Sequence, residues 1–195
     1  MTKEIRNPKC EIRAAAFAVP IRTGDGKFVA HYSEKGLCGL EFPSGKERTE
    51  PEVTPQELPA QIRRWHEATA NALFRALAGQ VPAELPPLDL SRGTEFQQRV
   101  WQALRQIPFG ETWSYAQVAQ AIGRPKAVRA VGGACGANPI PVLVPCHRVV
   151  AANHGLGGFS SGLEWKRRLL AREGVRLQLV AAASALARPA AGAVV

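Results

Sequence analysis

The segment 138–150, NPIPVLVPCHRVV, constrains this chain more than any other. It is apolar up to its cysteine, yet Pro139, Pro141 and Pro145 interrupt it. Each proline fixes its own φ and lacks an amide donor, so the segment is too broken to be a helix. It reads as a stiff loop that leaves Cys146 little freedom. His147 and Arg148 follow the cysteine directly, and either could favour a thiolate. Beyond them, 153–162 (NHGLGGFSSG) is a flexible glycine- and serine-rich loop able to lie close to a ligand.

The elements that flank this loop are helical. Thr94 with Gln97 forms a capping-box pattern, and Phe96, Val100, Leu104 and Ile107 follow on one face. Pro108 and Gly110 end that helix. Ser114 with Gln117 repeats the pattern before Val118, Ala119 and Ile122, and Gly123 supplies a stop. Arg124-Pro125 is then expected to open another helix at once, with proline in the favoured first turn. Residues 114–136 are therefore a helix-turn-helix candidate. The second helix, PKAVRAVGGACG, carries Lys126 and Arg129 among alanines and glycines, small residues that let a backbone approach another surface closely. A basic helix over 163–173 (LEWKRRLLARE) is stopped by Gly174.

The first half reads differently. Segments 12–19, 26–32 and 36–42 are short apolar runs with Thr23-Gly24-Asp25-Gly26 as the clearest turn, the signature of a small antiparallel sheet. Residues 43–59 read as a loop, and Pro55 to Ala78 as a helix with Ile62, Trp65, Thr69, Leu73 and Leu77 near period 3.6. Gly79 is its stop, and 81–88 (VPAELPPL) reads as a linker. The fold class is α+β: an α/β domain over 1–88, a helical domain over 89–178, and a frayed tail over 179–195.

Charge follows the same division. Residues 1–90 hold 12 Lys and Arg against 12 Asp and Glu, whereas residues 91–195 hold 13 against 4. The whole formal charge of +9 thus falls on the second half, the footprint of a polyanion-binding face or of a solubilising surface. No run of about 18 uncharged apolar residues is present, so no membrane span is expected. The N-terminus lacks the apolar run of a signal peptide, so the expected location is cytoplasmic. Cys10, Cys38, Cys135 and Cys146 include no CxxC pair. No disulfide framework is expected, and although Cys10, His31 and Cys38 could approach one another, no convincing fourth zinc ligand accompanies them. The residues alone lead to an activated thiol beside a DNA-binding helix pair, with an inert cysteine and a structural helix pair as the alternatives.

Three stretches, IPFGETWSYAQVAQAIGRPKAVRAVG, RAVGGACGANPIP and PCHRVV, go further. From about Phe109 to Gly174 the chain closely resembles the O6-alkylguanine-DNA alkyltransferases, or methylated-DNA–protein-cysteine methyltransferases, and the first half does so only loosely. The resemblance implies a ribonuclease H-like first domain and a winged-helix-like second one. It implies a protein that acts once, moving an alkyl group from guanine O6 (or thymine O4) in double-stranded DNA to Cys146. His147 would take the thiol proton through a water, and Glu173 would orient His147. Tyr115 would donate to purine N3. The carbonyls of Cys146 and Val149 would read the exocyclic amine, Ser160 would contact O6, Phe159 would form a pocket wall, and Asn138 would brace the loop.

The resemblance also gives the small-residue helix a reason. It would enter the minor groove through Ala127, Val128, Ala130 and Gly132, with Arg129 filling the stack vacated by a flipped base. Arg124 and Lys126 would contact the DNA backbone. No cofactor and no metal are expected, and the protein would be a monomer that clusters on DNA in the cytoplasmic nucleoid. Two departures stand out: Gly136 and Ala137 occupy a place where some relatives are basic, and Phe159 one where some have tyrosine. A silent damage sensor would lack the acceptor cysteine, a cysteine hydrolase would turn over, and a transcriptional regulator would prefer particular sequences.

Overall fold

Strand β1 (Phe17–Thr23) turns through Gly24 and Asp25 into β2 (Gly26–Ser33), which pairs in turn with β3 (Gly36–Glu41). The computed structural model of the chain describes residues 17–44, 54–152 and 155–175. The sheet is an antiparallel meander in the order β1-β2-β3, with an irregularity between His31 and Tyr32. The first expected strand, 12–19, is thus displaced: its described part starts at Phe17 and runs on to Thr23, and residues 12–16 lie outside the described residues. The Thr23 hydroxyl closes the turn by donating to Gly26 O and accepting from Asp25 N.

Helix α1 (Ala60–Leu77) follows a short 3-10 turn at Pro55–Glu57 and lays Ile62, Thr69, Leu73 and Leu77 against the sheet. Trp65, expected on the same stripe, is only partly buried. The stretch 81–88 is more than a linker at its end. Leu37 N donates to Pro87 O and Asp89 N donates to Leu37 O, so the chain leaves the first half pinned to the edge of β3.

In the second half, α2 (Glu95–Leu104) and α3 (Tyr115–Ala121) each begin with the expected capping box, from Thr94 with Gln97 and from Ser114 with Gln117. Helix α4 is Val128–Gly136. Pro125 is therefore not in its first turn. Residues 124–127 form a separate turn closed by Ala127 N donating to Arg124 O, and the helix begins only after that turn, with Ala127 as its N-cap. Helix α5 is Leu163–Arg172, and Gly174 ends it at φ 77°.

The second half is not all-helical, as the helical periodicity alone implied. Strands β4 (Trp113–Ser114) and β5 (Val149–Val150) pair in parallel. Two-residue strands leave no periodic signal, but this pair ties the start of α3 to the residues just after Cys146. Apolar residues from both halves, including Tyr32, Leu73, Trp101, Val131 and Val144, join one continuous core. A bidentate ion pair also links the halves: Arg172 at the end of α5 donates to both oxygens of Asp25 at 2.8 Å.

Candidate active site

Cys146 opens a 3-10 turn, Cys146–Arg148, at the end of the proline-stiffened loop. The loop is buried throughout its length from Ile140 to His147, as its apolar composition requires. Val142 adopts φ 75°, a left-handed conformation that strains a β-branched residue and that its burial maintains. Asn138 ties the loop together. Its Nδ2 donates to Val144 O at 2.8 Å and to Cys146 Sγ at 3.1 Å, and its Oδ1 accepts from Ile140 N at 3.1 Å.

Burial pushes the Cys146 thiol up to about 11, against the opposing effect of the Asn138 hydrogen bond. The two neighbours that could have favoured ionisation are both engaged by Glu173. His147 Nε2 lies 2.8 Å from Glu173 Oε1, and Arg148 reaches Glu173 through Nε at 2.9 Å and its second terminal nitrogen at 3.1 Å. Arg148 also donates to Ile107 O. Burial lowers the His147 pKa, only partly offset by Glu173, so the ring is a neutral base. Burial would raise Glu173, but hydrogen bonds from His147 and Arg148 prevail and hold its carboxyl at about 2. Its Oε2 also accepts from Gly110 N at 3.3 Å. His147 Nδ1 is buried, with no hydrogen-bond partner among the described residues.

Beside the thiol is a cleft of about 270 Å³ lined by Tyr115, Gly132, Cys135, Cys146, Phe159 and Ser160, among others. Tyr115 starts α3, and its hydroxyl accepts from Gly158 N at 3.3 Å. Gly157 allows this approach: at φ 67° it lies so near that a Cβ there would sit 2.8 Å from the Tyr115 hydroxyl. Phe159 is held edge-on by Phe42 from the end of the first half's sheet, at 5.9 Å between ring centres.

The residues expected to meet DNA lie together on α4 and the turn before it. Arg124, Lys126, Val128, Arg129 and Ala130 are exposed, and Ala127 and Gly132 are half-buried. Gly132 is on the cleft side of α4, facing Tyr115. Val149 O, expected to read a base amine, already accepts from Lys166 at 2.5 Å. The sequence reading missed Lys166, which is fully buried in α5, as well as Arg148 as a second partner of Glu173. A helical count would have found Lys166, because it stands three and four positions before the buried Leu169 and Leu170.

No group of three or more His, Cys, Asp and Glu residues suited to a metal occurs among the described residues, and Cys10 lies outside them. Likewise, no helix among them is long and apolar enough to cross a membrane.

By class, this is an α+β chain whose central cysteine stands beside a helix pair of the DNA-binding kind. The model of the family described as 6-O-methylguanine DNA methyltransferase, DNA binding domain, matches residues 95–175. A methylated-DNA–protein-cysteine methyltransferase of Methanosarcina acetivorans is 41% identical over 163 residues, covering 82% of this chain and 97% of that protein. The bifunctional transcriptional activator/DNA repair enzyme Ada of Escherichia coli K12 is 43% identical over 156 residues; the match takes in 76% of this chain but only 42% of Ada. Among solved structures, Mycobacterium tuberculosis OGT in complex with DNA superposes with a TM-score of 0.67 at 38% identity, over 80% of this chain and 92% of that one. The chain belongs to the methylated-DNA–protein-cysteine methyltransferase family.

Proposed function

We propose that the chain repairs double-stranded DNA by moving the alkyl group of O6-alkylguanine onto Cys146. The observation that carries this reading is a single cleft holding Cys146, Tyr115 and Phe159 against the Gly132 side of α4. A base turned out of the duplex lying along α4 would enter that cleft. Ala127, Val128, Ala130 and Gly132 are small enough to sit in a minor groove, Arg129 is exposed to occupy the vacated stack, and Arg124 and Lys126 meet phosphates.

In the reaction Cys146 Sγ bonds to the alkyl carbon as the carbon–O6 bond breaks. The thiol proton passes through a water to the neutral His147, whose imidazolium Glu173 then stabilises. The charge left on the purine is stabilised by a hydrogen bond from Tyr115 to N3, the guanine anion takes a proton from water as it leaves, and His147 returns its own proton to solvent. Asn138 keeps Sγ in line, the carbonyls of Cys146 and Val149 meet the exocyclic amine, and Ser160 meets O6. A thioether has no ready leaving route, so each molecule acts once, and no cofactor is consumed.

The same reading makes residues 1–88 a ribonuclease H-like supporting domain, on the strength of its antiparallel meander and following helix. It makes 89–178 a winged-helix-like domain, although its last three residues, like the tail 179–195, lie outside the described residues. We assign the protein to the cytoplasm, acting as a monomer that clusters along DNA. A duplex labelled in the O6-methyl group tests the reaction. Label should move to the peptide containing Cys146, whereas label released as a small molecule would refute it.

A further inference from the structure

Phe159 forms part of the cleft wall, yet its own loop gives the ring little support. The two residues before it are exposed glycines, Gly157 and Gly158, and Ser160 after it is also exposed. The ring is instead met edge-on by Phe42, at 5.9 Å between centres and 85° between planes. Phe42 directly follows β3 and belongs to a closed triangle of rings. It lies 5.3 Å from the fully buried Phe28 and 4.8 Å from Trp165 of α5, and those two rings lie 5.7 Å apart. The next residue is fixed as well: Gly26 lies so near Pro43 that a Cβ there would sit 2.9 Å from the proline ring. Two residues before Phe42, Leu40 N donates to Pro139 O at 2.8 Å, and Pro139 follows the Asn138 that holds Cys146 Sγ. One strand of the first half therefore reaches the acceptor loop through Leu40 and the cleft wall through Phe42.

We propose that Phe42 is a positioning residue that sets the size of alkyl group the cleft admits: it holds the Phe159 ring at a fixed separation from Cys146, so that the end of β3 acts as a gauge between the two. This inference rests on the transfer reading above. Edge-on ring pairs add to the stabilisation that burial gives, so a ring set against a packed triangle resists displacement. The cleft of about 270 Å³ must hold both a flipped base and its alkyl group. A methyl group uses little of that space, whereas a benzyl group has to extend past the sulfur toward the wall. Truncating Phe42 opens space behind Phe159, and side chains around such a cavity relax into it in part. The cleft then widens for bulky groups, while Asn138 still holds Cys146 in place.

The test uses the full chain with duplexes of one sequence carrying O6-methylguanine or O6-benzylguanine. Separately, iodoacetamide and the bulkier iodoacetanilide, with the label located on the Cys146 peptide, read the width of the cleft without DNA. Phe42→Ala, checked for folding by circular dichroism, should raise the benzyl-to-methyl ratio of single-turnover rates about threefold or more. The iodoacetanilide-to-iodoacetamide ratio should rise with it. Phe42→Leu, the milder change should the alanine variant not fold, should raise both ratios about twofold or more. In a Phe159→Ala background, where the wall is already gone, Phe42→Ala should move neither ratio. A purely stabilising role would slow both alkyl groups alike and leave the ratios where they were. Ratios that fall, or that rise by less than about twofold in a folded Phe42 variant, overturn the proposal, and so does a further rise in the Phe159→Ala background. If the unaltered protein takes neither group from DNA, the transfer reading itself fails, and the iodoacetanilide ratio still judges Phe42.

Discussion

His147 Nε2 and Glu173 Oε1 stand 2.8 Å apart across 26 residues of chain, joining the turn that Cys146 opens to the residue that caps the C-terminus of α5. Arg148 and Gly110 donate to the same carboxylate, so one buried acid binds the acceptor turn, α5 and the end of the α2 connection. A carboxyl whose pKa is lowered on folding stabilises the fold above its unfolded value and loses that contribution as pH falls through its folded value. For Glu173 this window runs from the ordinary carboxylate range down to about 2. Acid denaturation should therefore steepen over that window by on the order of 2–3 kcal/mol in the unaltered protein. Glu173→Gln should flatten it. Thermal melts across the pH range check this, and parallel curves for the two proteins would contradict it.

Asn138→Ala removes three hydrogen bonds at once, and leaves Val144 O and Ile140 N buried without that partner. The loss should be about 2–4 kcal/mol in urea unfolding. Transfer should slow as well, because Sγ loses the hydrogen bond from Asn138 Nδ2.

Tyr115→Phe keeps the ring against Gly132 and removes the hydroxyl that accepts from Gly158 N. Since that bond is long and exposed, stability should change by less than about 1 kcal/mol. Single-turnover transfer should nevertheless slow about tenfold to a hundredfold, because the hydroxyl would act on charge that develops only in the transition state.

Arg129 is exposed on α4. Arg129→Ala should weaken transfer from duplex DNA by about tenfold or more, while transfer from the free base O6-benzylguanine changes little, because that substrate needs no flipping. Equal losses on both substrates would count against a role at the vacated stack.

Local features carried most of what the sequence disclosed. The capping boxes at Thr94 and Ser114 and the stops at Gly79, Gly123 and Gly174 depend on neighbours three or four residues away, and all appear in the structure. The proline loop was legible because three missing amides exclude a helix whatever the context. The remainder depends on distant partners. Pairing of Trp113 with Val149 has no local signature, and the Pro125 motif misplaced the start of α4 because the turn at 124–127 satisfied its backbone first. At Cys146 the adjacent His147 and Arg148 suggested direct activation, but an acid 25 and 26 residues away draws both side chains to itself. Lys166 looked like one more charge in a basic helix, and only its place on the Leu169–Leu170 face distinguishes it.

The most direct measurement of the central claim is the intact mass of the protein after incubation with excess duplex containing O6-methylguanine. The account predicts a gain of one methyl group per chain, reached once and then unchanged, with no gain in Cys146→Ser. An unaltered mass, a gain that persists in Cys146→Ser, or more repaired guanine than protein present would contradict it.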